Sequence, residues 1–119
     1  MPQMNIFGDQ LVACCFDPMT GVTRSGFCEK ISQDHGKHLV CARLTDAFLN
    51  FSLSKGNDLK TPRPEYGFVG LKAGDYWCLC VDRWLESHHA GCAPPLRLEA
   101  CHYDMLKHVE LETLQKYAI

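Results

Sequence analysis

GNDLKTPRPEYGFVGLKAGDYWCLCVDRW, residues 56–84, is the stretch on which the fold reading turns. Its first part, residues 56–75, carries two prolines and four glycines and reads as a long loop. Loops of this length inside a small domain are usually functional or disordered. Tyr66, Phe68, Val69 and Leu71 are apolar anchors, and they favour order. YWCLCV (76–81) then reads as a strand, with Trp77, Leu79 and Val81 pointing one way and Tyr76, Cys78 and Cys80 the other.

Downstream, Asp82 is a helix cap, and the helix ends before Gly91 with Trp84, Leu85 and His88 on one stripe. Pro94-Pro95 forces an extended break. Leu96, Leu98 and Ala100 then alternate with Arg97, Glu99 and Cys101, the pattern of a half-buried strand. Helical segments near 103–108 and 110–118 close the chain. In the last, Glu110 and Glu112 come early and Lys116 late, as the helix dipole prefers.

Upstream, HLVCARL (38–44) has the content of a short strand and leads to Thr45, a good N-cap. A helix over 46–55 follows, stopped by Gly56, with Leu44, Ala47, Phe48 and Phe51 on one face. Residues 1–37 are rich in turn signals, among them Asp17-Pro18, Thr20-Gly21 and Ser25-Gly26. Only Leu11–Phe16 is a candidate strand there, so this third reads as an irregular wrap. The expected class is α+β: a small, mostly antiparallel sheet with helices on one face, a two-layer sandwich.

Composition bounds the function. The 119 residues carry 12 basic and 14 acidic side chains, a formal net charge of −2. That length implies one domain, 1–119. The near-neutral balance argues against a nucleic-acid binder that relies on bulk charge. No apolar run approaches the roughly 18 residues of a membrane span. MPQMNIFGDQLVACCF lacks the basic n-region and small-residue cleavage site of a signal peptide, so the expected location is the cytoplasm.

There the eight cysteines are expected as thiols, not as a disulfide framework. Cys78 and Cys80, two apart on a strand, share a face, and either would serve as a thiolate nucleophile. His38, three residues before Cys41, or His102, beside Cys101, would act as the base. Asp58 and Arg63 in the long loop, with Glu99 before His102, are the candidate substrate contacts. Zinc held by Cys41, Cys78, Cys80 and a histidine is an alternative, although the chain has no C-x-x-C. A non-catalytic interaction module with packed cysteines is another. His88 and Cys92 fall on the Trp84 stripe and read as core. No nucleotide-binding, metalloprotease or hydrolase motif occurs, and neither substrate nor reaction is specified.

Residues 56–84, with Asp17-Pro18, Thr20-Gly21, Cys28, HLVCA (38–42), TDAFLNFS (45–52), GCAPPLRLEACH (91–102) and VELETLQKYA (109–118), are similar to the signature of domain-of-unknown-function family 2237. The resemblance runs nearly the whole chain. It implies a compact α+β, two-layer fold, with no established activity, cofactor or substrate. It also implies that Cys14, Cys28, Cys41, Cys78 and Cys80, with His38 and His102, sit at family positions. Cys15, His88, Cys92 and Cys101 depart from the pattern.

Overall fold

The computed structural model describes residues 3–119. Among the described residues the only ladder is the antiparallel pair β1 (Val40–Arg43) and β2 (Tyr76–Leu79), with Val40 opposite Leu79, Cys41 opposite Cys78, Ala42 opposite Trp77 and Arg43 opposite Tyr76. Alternation puts Cys41 and Cys78 on one face and Val40, Ala42, Trp77 and Leu79 on the other. Three α-helices follow the chain order: α1 (Asp46–Ser54), α2 (Val81–His89) and α3 (Leu111–Gln115). Short 3₁₀ turns cover Pro64–Tyr66, Leu98–Ala100 and Tyr103–Lys107. The class is α+β.

The local chemistry of α1 follows the sequence. Thr45 Oγ1 accepts the Phe48 N–H at 3.1 Å, satisfying one of the helix's free donors. Its buried side is Phe48, Leu49 and Ser52 rather than Ala47 and Phe51, and α2 packs against the helix. In α2 the helix begins two residues early: Cys80, not Asp82, is the N-cap, and Asp82 lies in the first turn. Cys80 therefore leaves the strand and no longer alternates with Cys78.

The third expected strand is reduced to two single bridges, Leu96 with Ala42 and Leu96 with Ala118. The Arg43 N–H reaches Pro95 O at 2.9 Å and the Arg97 N–H reaches Cys41 O at 3.0 Å, so pairing begins after the prolines. It stops where Leu98–Ala100 tightens into a 3₁₀ turn. The apolar alternation of Leu98 and Ala100 is real, but a 3₁₀ turn buries both as well. Leu11–Phe16 likewise forms no strand; only Phe16 bridges Met19.

Residues 3–37 contain no helix or strand longer than single bridges. They wrap the rest through backbone bonds to the C-terminal segment, such as Ile6 N–H to Cys101 O at 3.1 Å and Val12 N–H to Glu99 O at 3.1 Å. Buried Asn5 adds four side-chain bonds, two of them donated to Gln10 O and Glu99 O and two accepted from Phe7 and Asp9. Among the described residues, no helix is long and apolar enough to cross a membrane.

Candidate functional site

Cys41 and Cys78 face each other across the ladder, and their backbones show how closely. Cys41 donates its N–H to Cys101 Sγ and its carbonyl accepts from Arg97. Cys78 donates its N–H to the buried Thr20 hydroxyl at 2.8 Å. These groups point away from the partner strand, which makes Cys41 and Cys78 a non-hydrogen-bonded pair, the kind whose side chains lie closest. The wrap supplies a second cysteine to each: Cys14 is bonded to Cys41 and Cys28 to Cys78. The expectation of free thiols is thus corrected for four of the eight cysteines; Cys15, Cys80, Cys92 and Cys101 are free. The sulfurs of Cys14, Cys28 and Cys78 all lie within 4.8 Å of one another, so the two disulfides form one cluster.

A cleft of about 380 Å³ opens beside the cluster, between the wrap, the long loop and β2. Cys78 is at its wall, together with His38, Asp58, Arg63, Arg24 and the rings of Tyr66, Phe68 and Trp77. Gly21 forms part of the lining. Its φ is +99°, and a Cβ there would meet Phe27 O at 2.4 Å, so only glycine lets the wrap turn this tightly. Arg24 stands over the Trp77 ring at 5.2 Å and donates to Gly21 O. Arg63 makes no ion pair among the described residues.

His38 is held by Asp34. The carboxylate accepts the His38 backbone N–H and binds ring Nδ1, both at 2.8 Å. Burial works to raise the Asp34 carboxyl, but the His38 N–H, the His38 ring and the Lys37 N–H together hold it below the ordinary range. With Nδ1 donating to Asp34, Nε2 is the nitrogen left to exchange a proton. A Cβ at Gly36 would come within 2.9 Å of His38 Cε1, so the missing side chain makes room for the ring. His38 also lines a neighbouring cleft of about 220 Å³ with Cys80 and Arg83.

The structure therefore gathers Cys78, His38, Asp58 and Arg63 at one cleft, with Cys41 behind Cys78 and Cys80 at the adjoining one. His102 and Glu99 are elsewhere. Buried His102 bonds Gln3 Oε1 through Nε2 at 2.6 Å and accepts the Asp104 N–H at Nδ1, a pin between the chain's two ends. Glu99 is an exposed partner of Arg97 at 4.0 Å. The Asp58 carboxylate accepts the N–H groups of Lys60 and Thr61, which ties its role to the turn of the loop. Those N–H bonds, and above all the Thr61 side chain, hold it below its ordinary range.

Sequence reasoning missed Cys14 and Cys28 as site residues, and Arg24 and Asp34 altogether. Their signal was weak: two cysteines in an aperiodic segment, and an Asp four residues before a His. Cys101, by contrast, is buried, and burial pushes its thiol up to about 12 despite the Cys41 N–H. His88 stacks on Trp84 at 5.4 Å and bonds Tyr117 OH at 2.7 Å, as part of the packing.

Fold and site together define a small α+β protein built on a buried cysteine cluster beside an arginine-bearing cleft. The chain belongs to the family described as Uncharacterized protein conserved in bacteria (DUF2237), whose model matches residues 4–118. No curated protein matches the chain.

Proposed function

We propose that the cleft is a thiol–disulfide exchange site for a small anionic thiol, in a protein of the cytoplasm. One observation carries this reading: Cys78, disulfide-bonded to Cys28, shares a cleft with His38 and with Arg24 and Arg63. Two guanidiniums suit carboxylates on the ligand, and Trp77, Phe68 and Tyr66 offer it an apolar wall. A substrate thiolate attacks Cys78 Sγ, the Cys28–Cys78 bond breaks, and Cys28 leaves with the electron pair. A second thiolate attacks the substrate sulfur of that mixed disulfide and releases Cys78. Two substrate thiols are oxidised to one disulfide, and the protein disulfide is reduced to two thiols. His38 Nε2 takes a proton from the incoming thiol and returns it to the departing sulfur.

The cytoplasmic part rests on the free thiols. Cys15, Cys80 and Cys92 are half-buried and unpaired, a pattern prone to mispairing in an oxidising compartment. In a reducing one, disulfides are usually transient and redox-active. A second reading has its own support: Cys78 is 1% exposed and Cys28 0%, as in a structural staple with the cleft binding its ligand without chemistry.

Folded, oxidised protein incubated with glutathione or with cysteamine separates the two. Exchange predicts that the anionic thiol opens Cys28–Cys78 faster than the cationic one, and that R24A with R63A removes the preference. A pair that opens only in denaturant leaves the structural reading.

A further inference from the structure

We propose that Cys14, Cys28, Cys41 and Cys78, once reduced, form a single tetrathiolate zinc site; the reduction step rests on the exchange reading, the ligand set does not. The set differs from what spacing suggests, because no two of the four lie closer than 12 residues apart in sequence, and the knuckle that usually marks such sites is missing. The fold makes up for the spacing. Non-hydrogen-bonded pairing brings Cys41 and Cys78 together across the ladder, and the wrap lays Cys14 and Cys28 over them.

Three of the four sulfurs already stand close together, and the fourth has to close in on them to complete a tetrahedral set. Tetrahedral thiolates about 2.3 Å from zinc lie about 3.8 Å apart. The sulfurs of Cys14, Cys28 and Cys78 already lie within 4.8 Å of one another, and Cys41 Sγ adjoins Cys14 Sγ. All four residues are at most 1% exposed, so the site would be closed to water, as structural zinc sites are. Soft thiolate ligands select zinc over harder divalent ions.

Three of the four ligand backbones are already fixed from outside. Thr20 Oγ1 holds the Cys78 N–H, Cys101 Sγ holds the Cys41 N–H, and Gly26 O accepts the Cys14 N–H at 2.7 Å. Arg97 donates to Cys14 O at 3.0 Å, placing a guanidinium where the dianionic centre needs a counter-charge. Cys80 is excluded, since it is bonded to no other cysteine and, as the N-cap of α2, lies beyond the ladder.

The chemistry balances. Four substrate thiols reduce the two protein disulfides to four cysteine thiols and become two small disulfides. Zinc then takes four thiolates and releases four protons. Oxidation would reverse the process and eject the metal.

The test reduces the chain fully, confirms eight thiols, and refolds it with cobalt(II) or zinc(II). This makes the result independent of whether small thiols open the cluster in the folded protein. Expected are one metal per chain, the intense visible bands of tetrahedral thiolate cobalt, and no binding by the oxidised protein. C14S and C41S should each weaken binding by about tenfold or more, whereas C80S and C92S leave it unchanged. Less than about a tenth of an equivalent bound by the wild-type chain would overturn the proposal. So would binding that survives C14S and is lost in C80S. If zinc binds while glutathione leaves both disulfides intact in the folded protein, the exchange reading falls and the metal site stands.

Discussion

From Gln3 to Lys37 the chain has no helix and no ladder, and it is held by two disulfides, scattered backbone bonds, buried Asn5 and the buried side chains of Ile6 and Leu11. From His38 onward the same chain builds helices on a ladder and buries Trp84, Phe48, Leu49, Leu96, Met105 and Leu114 almost completely. One region is attached mostly at points, with Ile6 as its foothold in the core; the other is packed throughout. A segment without periodicity offers no continuous apolar face, so its order must come from discrete ties, and ties are easier to switch than a packed core. The cleft lies where the two regions meet, which places chemistry at the seam between the switchable part and the rigid part.

The sharpest way to break this contrast is to cut the ties. Replacing Cys14, Cys28, Cys41 and Cys78 together by alanine should cost about 4 kcal/mol for each disulfide lost, given loops closed over 27 and 50 residues. Hydrogen exchange should then show protection lost across residues 3–37 while α1 and α2 keep theirs. Uniform loss would mean that the wrap cannot be released without unfolding the packed region. Trp84→Ala attacks the other region and should cost about 3–5 kcal/mol. It removes a fully buried ring whose Nε1 bonds Pro94 O at 3.3 Å, and its effect in urea denaturation should be global.

Thr20→Val probes a single tie. It leaves the Cys78 N–H without its acceptor and should cost about 1–3 kcal/mol, seen as a lower denaturation midpoint with an unchanged slope. The smallest expected effect is a pH dependence. Burial lowers the His102 pKa, opposed by Asp104, so the unfolded chain binds the proton more readily. Stability should therefore fall as pH drops below the ordinary histidine value of about 6.5 and level off below the folded value. His102→Gln should flatten that slope. Asp34 adds a second fall at lower pH, as its depressed carboxyl protonates and releases His38.

The regular elements could be read from the sequence because their causes are local. Thr45 caps α1, Gly56 follows its end with φ +85°, and alternation around Trp77 gives β2. The class could be read for the same reason. The cysteine cluster could not, since its partners are 27 and 50 residues apart and half of them lie in an aperiodic wrap. Cys80 was misplaced by one local event: the chain turns into α2 at the residue that alternation alone would keep in the strand. Of the proposed site, the loop residues Asp58 and Arg63 were visible as polar groups among prolines. His102 carried the same signal as His38, and only the fold separates a histidine with an orienting carboxylate in a cleft from one spent on pinning Gln3.

Disulfide mapping by mass spectrometry tests the seam most directly. The chain is treated with a mild oxidant and a chelator, alkylated in the native state, then digested without reduction. The account predicts Cys14–Cys41 and Cys28–Cys78 as the linked pairs, alkylation at Cys15, Cys80 and Cys92, and Cys101 reacting only after unfolding. Native alkylation of Cys14 or Cys28, or either one linked to Cys80, would contradict it.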